Sequence, residues 1–350
     1  MPITIALDCT GGDDGEAPNV AGAVAAAREL GVSVALVGKP DAIRAALKKH
    51  RTTGLTLPVF EAPDEVTMHE HPSQAVRRKP EASINVAMRA VKEGKAAAMV
   101  SAGNSGATMV SALFHLGRVK GIERPAIGAM LPSLGRDVLL IDTGANTEVK
   151  PEYLVQFAQM GSLYMEKVGG IARPRVGLLA NGEEETKGTQ TVQEAHALLR
   201  AMPGINFVGN VEGRAIAKGV CDVCVTDGFT GNVLLKTAEG TASFMGALLR
   251  RELTKTLPRK LAAAVLRPAF RAMRDALDPA RVGGALLFGV NGVAVIAHGG
   301  SDARAIRNAI RVAKGCVEGG AVEAIRGIAA SGERRATSDQ ATEAASATGE

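Results

Sequence analysis

The amino-acid sequence predicts an α/β fold in which a largely parallel sheet is covered by helices on both sides. Strand-like and helix-like segments alternate along almost all of the 350 residues. The strand-like runs, "DVLLI" (137–141) among them, are nearly unbroken apolar stretches, which fits burial on both faces. Glycine, asparagine, aspartate or serine follows one such run after another, as at the strand ends of open α/β sheets.

The elements follow in order. Residues 3–8 ("ITIALD") are the first predicted strand, and the alanine-rich 17–30 the first helix. A strand at 32–38 ("VSVALVG") precedes a helix at 41–50, and one at 96–101 ("AAAMVS") a helix at 106–117. The strand "DVLLID" (137–142) leads to a helix at 151–168, and "RVGLLA" (175–180) to one at 189–202. "DVCVTD" (222–227) opens onto a long helix at 231–256. Leu234, Ala238, Thr241, Met245, Leu248 and Glu252 or Leu253 trace one face of it until Pro258 forbids simple continuation. The strand "GVAVIAHG" (292–299) and the helix 301–315 complete the pattern. From Glu333 onward no large apolar residue occurs, so 333–350 is predicted to be a disordered tail behind a single domain at 1–332.

Composition excludes several classes. Tryptophan is absent and aromatics make up 3%, which disfavours base stacking, so no nucleic-acid partner is expected. Four scattered cysteines make no disulfide framework. "MPITIALD" has no signal-peptide pattern, and no apolar run approaches a membrane span, so a cytoplasmic protein is expected. Net charge is +5, and its placement is uneven. Between Arg250 and Arg281 nine Arg/Lys face Glu252, Asp275 and Asp278, so this stretch holds +6. Leu257, Leu261, Val265, Phe270 and Met273 recur there at helical spacing. That combination suits an anionic membrane surface or an acidic protein, with a solvated face as the alternative.

Five corners recur at strand ends: "LDCTGGDDG", "VSAGNSGA", "IDTGANTE", "LANGEEETKG" and "TDGFTGN". Glycine admits close backbone approach and a helix start offers free N–H groups, so the five are expected to converge on an anion, a phosphate above all. None matches a nucleotide fingerprint. Glu183, Glu184 and Glu185 are read as solvated rather than metal-binding, so no metal is expected. Cys221 and Cys224 are read as core residues facing opposite sides of a strand. His69 and His71 fall in a predicted loop, His115 in a predicted core face, and His298 at a strand end near the chemistry. Lys187 is a cation among carboxylates at such a corner, either facing an anion or bridged to Glu183 or Glu184.

Seven ordered blocks resemble the bacterial phosphate acyltransferase family from Ile5 to about Val317. They are "DCTGGDDGEAP", "VSAGNSGATMVSALFHLGRVKGIERPAI", "IDTGANTEVKPEYLVQFAQMGSLY", "VGLLANGEEETKG", "INFVGNVEGRAI", "DGFTGNVLLKTAEG" and "GVNGVAVIAHGGSDARAIRNAI". Cys9-Thr10, Ala82, Glu148 and Val282 depart from the family's usual residues. The resemblance implies a three-layer α/β/α fold like the isocitrate and isopropylmalate dehydrogenases, and a homodimer with a helical interface segment at 240–282. It implies that inorganic phosphate attacks the fatty-acyl thioester of acyl carrier protein, without a cofactor. The acyl phosphate would pass to a membrane glycerol-3-phosphate acyltransferase, the chain itself resting peripherally on the membrane.

On that reading the substrate brings its own nucleophile, and the protein supplies positioning and charge. Lys187 and the backbone around Gly11, Gly12 and Gly106 would hold phosphate, with Ser101 and Asn104 orienting it. Asn232, at "GFTGN" with Gly231, would polarise the carbonyl. Asp13, Asn146 and His298 complete the expected lining. Rival readings are a nicotinamide-dependent decarboxylating dehydrogenase, a phosphate acetyltransferase on coenzyme A thioesters, and a lipid-surface scaffold. NAD binding, carrier preference and phosphate-dependent thioester loss separate them.

Overall fold

The computed structural model describes residues 2–327, so the predicted tail lies outside them. The first half of the chain builds β1 (Thr4–Asp8), α1 (Glu16–Leu30), β2 (Ser33–Gly38), α2 (Pro40–Leu47) and β3 (Val59–Glu61). It continues through α3 (Pro72–Arg78), α4 (Ser83–Lys92), β4 (Ala98–Ser101) and α5 (Ser105–His115). A middle stretch follows with β5 (Ala126–Leu131), β6 (Val138–Ile141), α6 (Pro151–Lys167), β7 (Arg175–Leu179), α7 (Gln190–Ala201), β8 (Asn206–Val211), α8 (Gly213–Ile216) and β9 (Val223–Val225). Then come α9 (Gly228–Leu253), α10 (Leu257–Val265), α11 (Arg267–Leu277), α12 (Pro279–Val282), β10 (Ala285–Phe288), β11 (Val293–Ile296) and α13 (Ala303–Glu318).

Every strand and helix expected from the alternation forms. β2, β4, β6, β9 and β11 are buried along their whole length, as their unbroken apolar runs require. The long helix starts at Gly228, three residues earlier than expected, because the Asp227 carboxylate caps it by accepting from the Thr230 N–H at 2.8 Å. Pro258 sits in the first turn of the next helix, where its missing N–H costs no helical bond. The apolar run "LLFGVNGVAVIA" becomes the β10–β11 hairpin, turning through Gly289, Asn291 and Gly292. The pattern of alternation marks neither β5, β8 nor β10.

The strands form one 11-stranded sheet in the order β3-β2-β1-β4-β11-β10-β5-β6-β9-β7-β8. Pairs β11–β10, β10–β5 and β5–β6 are antiparallel, and the remaining neighbours are parallel. The direction therefore reverses across the middle: β6, β9, β7 and β8 run opposite to β3, β2, β1, β4 and β11. Phe157 and Phe288 are fully buried in the core, and Phe288 meets Tyr164 edge-on with centroids 5.3 Å apart.

Two expectations need correction here. Cys221 and Cys224 are buried free thiols, but they share one core cluster with Leu131, Leu140 and Ile216. Cys221 precedes β9, so strand alternation never applied to it. His115 is half-buried rather than core, beside a solvent-facing Phe114. Burial first, then Arg89 and Lys92, hold its imidazole below the ordinary range. His69 and His71 are exposed, as a loop assignment requires, with His71 immediately before α3.

Candidate functional site

The sheet's reversal divides the expected site residues between two opposite rims. Gly11, Gly12 and Asp13 follow β1, Ser101, Asn104 and Gly106 follow β4, and His298 follows β11; these three strands are parallel. Asn146 follows β6, Lys187 follows β7, and Gly231 and Asn232 follow β9, also mutually parallel. The second set runs the other way, so its ends lie on the far edge. From β4 to β6 is four strand steps, about 19 Å, and the edges of four-residue strands stand about 13 Å apart. The expected convergence of five corners on one anion does not occur within one chain. The reason is the run of three antiparallel pairings, β11–β10, β10–β5 and β5–β6, an odd number that leaves the second half of the sheet reversed.

On the first rim most polar groups are engaged internally. The buried Asp8 carboxylate accepts from the Ser101 hydroxyl at 2.7 Å and from the Thr10 and Gly11 N–H groups at 3.2 Å. Ser101 Oγ in turn accepts from the Gly103 N–H at 3.0 Å. Ser101 is therefore a buried brace, and the Gly11 N–H is already bonded; neither is open to a phosphate as expected. Thr10 Oγ1 also lies 2.5 Å from Ser83 Oγ. Asn19 staples the loop by donating to the Cys9, Gly11 and Gly15 carbonyls. Asn104 Oδ1 caps α5 at the Ala107 N–H, 3.1 Å away, leaving its Nδ2 only long contacts of 3.4–3.5 Å to the carbonyls of residues 67, 68 and 70. Gly106 packs where a Cβ would press on Pro72. Asp13 and His298 are exposed beside Gly299, whose carbonyl accepts from the Asp13 N–H at 2.9 Å.

The second rim is organised by Asp142, a residue that pattern reasoning did not single out. Its buried carboxylate accepts from the N–H groups of Ile127, Gly144, Ala145 and Asn146 and from Asn146 Nδ2, at 2.8–3.1 Å. Burial pushes the Asp142 carboxyl up, and the Ala145, Asn146 and Ile127 donors pull the other way. Every partner being a donor, the loop is built around the ionised form. Asn146 also donates to the Pro125 carbonyl at 2.8 Å, so its amide is a strut rather than the expected substrate contact. Gly231 lets α9 start directly against this hub: a Cβ there would overlap the Asp142 carbonyl oxygen.

What the second rim leaves unengaged is Asn232 and Lys187. Asn232 is exposed above Gly144, and its amide makes no hydrogen bond to a described residue. Lys187 is exposed and forms no ion pair among the described residues, so the expected alternative of a bridge to Glu183 or Glu184 is not formed. Its loop is pinned from beneath, with the Gly188 N–H donating to Asn181 Oδ1 at 2.8 Å and Asn210 Nδ2 to the Glu184 carbonyl at 2.8 Å. The buried His196 Nδ1 lies 3.0 Å from Asn210 Oδ1. Glu183 and Glu184 are exposed, and Glu185 pairs with Arg200. No group of His, Cys, Asp or Glu fit to hold a metal ion occurs among the described residues. A cation and an amide donor aimed outward from a braced rim can stabilise an oxyanion and a phosphate.

Comparison with known proteins shows what the chain as a whole is similar to. A family model described as a fatty acid synthesis protein matches residues 3–324. The phosphate acyltransferase of Desulfitobacterium hafniense (strain DSM 10664 / DCB-2) is 49% identical over 93% of this chain and 97% of its own. That of Heliobacterium modesticaldum is 50% identical over 93% and 97%. In fold, the chain is similar to a phosphotransacetylase from Streptococcus pyogenes, with a TM-score of 0.60 at 17% identity, covering 90% of this chain and 94% of that one.

Proposed function

The chain belongs to the phosphate acyltransferase family, and from that premise we propose that it moves a fatty acyl group from acyl carrier protein to inorganic phosphate for phospholipid synthesis. The observation that carries the reading is family identity near one half over almost the whole chain, joined to the two outward-facing polar groups Lys187 and Asn232.

The reaction needs no nucleophile from the protein. Hydrogen phosphate attacks the thioester carbonyl, and a tetrahedral oxyanion forms. The C–S bond then breaks, leaving acyl phosphate. The phosphate's proton ends on the departing sulfur, whose parent thiol has a pKa of about 8.5 and leaves readily. Asn232 donates to the oxyanion, and Lys187 balances the phosphate charge. Gly12, Asn104 and His298, with Asp13 beside them, line the phosphate and thioester from the first rim. Ser101, Gly11, Gly106, Asn146 and Gly231 act by positioning.

Purified chain given acyl-acyl carrier protein and phosphate is expected to yield acyl phosphate by mass spectrometry, and less from coenzyme A thioesters. Thioester that persists in the presence of phosphate would sink the reading. Asn232→Ala is expected to lower kcat about 10²-fold with little change in KM, as loss of an oxyanion donor does. An unchanged kcat would remove Asn232 from the mechanism.

The finer reading extends further. The family implies an isocitrate-dehydrogenase-like architecture within one catalytic domain at 1–332, a homodimer, and delivery of product to a glycerol-3-phosphate acyltransferase at the membrane. No helix among the described residues is long and apolar enough to cross a membrane. Leu257, Leu261 and Val265 of α10 are exposed by 64–80% and flanked by Arg259 and Lys260, which suits peripheral contact from the cytoplasmic side. Flotation with anionic vesicles is expected to carry the protein, and Leu261→Asp to reduce it. Equal binding to neutral vesicles would count against an electrostatic anchor.

A further inference from the structure

We propose that two residues outside the reacting groups decide where the Lys187 ammonium stands: Gly182, as the floor its stem lies on, and Gln193, as a clamp on the peptide groups to either side of it. This rests on the acyl-transfer reading, in which Lys187 balances the charge of phosphate.

The need for such a device follows from Lys187 itself. Its side chain is exposed and forms no ion pair among the described residues. A lysine stem has many rotamers, and a charge without a partner selects none of them on its own. A cation that serves a transition state must nevertheless stand in one place before the reaction begins.

Gly182 restricts the side chain. It is buried, and the Lys187 stem lies across it so closely that a Cβ at 182 would stand 2.6 Å from Lys187 Cγ and 3.1 Å from its Cδ. Both are stem atoms rather than the mobile tip, so the stem would have to turn and carry the ammonium elsewhere. The other close atom, a Glu184 carboxylate oxygen at 2.9 Å, ends an exposed side chain and can swing away. Gly182 is not in a left-handed conformation, so its backbone would accept alanine. What the glycine leaves free is the space that Lys187 occupies.

Gln193 restricts the backbone. From the first turn of α7 its Nε2 donates to the Thr186 carbonyl at 2.9 Å and to the Gly188 carbonyl at 3.2 Å, and these two residues flank Lys187. One amide thus ties both neighbours of the lysine to a helix. The Glu184 carbonyl closes the turn by accepting the Lys187 N–H at 3.0 Å, and it also takes Asn210 Nδ2 at 2.8 Å. Asn210 Oδ1 is left to accept from His196, so the Nδ1 of that buried ring carries the proton and holds the amide from behind.

A double-mutant cycle tests this, with phosphate varied in steady-state kinetics. Gly182→Ala is expected to lower kcat/KM for phosphate about 10²-fold, since a misplacement near 1 Å has that effect. Gln193→Met keeps the length of the side chain, removes both donors, and is expected to lower it about tenfold. In a Lys187→Ala background each is expected to change the rate less than about twofold, because no ammonium is left to place. A merely structural role gives the same fold-loss in both backgrounds, and that result overturns the proposal. Wild-type turnover by Gly182→Ala and Gln193→Met overturns it too, while the acyl-transfer reading stands. Where Gly182→Ala fails to accumulate, the Gln193→Met arm decides by the same comparison. A fully active Lys187→Ala protein removes the lysine from the reaction, and with it both this proposal and the charge balance of the underlying reading.

Discussion

Lys187→Ala is expected to lower kcat/KM for phosphate about 10³-fold while leaving Tm within about 2 °C of the wild type. The two halves of that expectation have separate causes. Lys187 is exposed and makes no ion pair among the described residues, and its loop is held by Asn181 and Asn210 through backbone groups. Removing the side chain therefore takes no support from the fold. In the proposed mechanism it does remove a positive charge from the place where a dianion approaches a developing oxyanion, the situation in which a fixed cation counts most. Lys187→Arg keeps the charge and is expected to retain more activity than the alanine variant. Steady-state kinetics with phosphate varied, alongside a thermal melt, reads both halves. An alanine variant that turns over at the wild-type rate would take Lys187 out of the reaction.

Gly231→Ala is expected to harm both stability and catalysis. The added methyl would overlap the Asp142 carbonyl oxygen and crowd the Thr226 side chain, so the first turn of α9 must move. Overpacking of this kind costs about 1–3 kcal/mol, a fall in Tm of roughly 1–4 °C for a chain of this length. The moved turn carries Asn232, the oxyanion donor of the proposed mechanism, and a displacement near 1 Å of such a donor costs about 10²-fold in kcat. Gly240→Ala, in the same helix, is the internal contrast. A Cβ at Gly240 meets nothing within 4 Å, so alanine is expected to stabilise by up to about 1 kcal/mol through helix propensity. Differential scanning calorimetry on the two variants should give shifts of opposite sign. A Gly231→Ala protein as stable and active as the parent would show that α9 does not lean on Asp142.

Much of this protein was legible in its sequence for local reasons. Unbroken apolar runs located β1, β2, β4, β6, β7, β9 and β11, because a strand covered on both faces has no polar side to show. Pro258 marked the end of the long helix through chemistry that acts within one turn, whereas the Asp227 cap that starts it at Gly228 went unread and the start was placed three residues late. The corner motifs identified Lys187 and Asn232, and both prove exposed with unengaged polar groups. Three other corner residues, Ser101, Asn104 and Asn146, look equivalent in the sequence, yet their side chains serve mainly as braces and caps. Which polar atoms stay free depends on partners such as Asp8, 93 positions from Ser101, which no spacing rule reveals.

What the tertiary structure alone decided is the direction of the strands. Residues far apart in the chain set it: Leu286 pairs with Gly128, and Gly128 with Ile141, both antiparallel. Periodicity records whether a strand is buried, since that follows from its own side chains. It carries no record of which neighbour a strand pairs with or which way it points, since that follows from contacts across the sheet. Hence five similar corners in the sequence become two opposed rims in the fold.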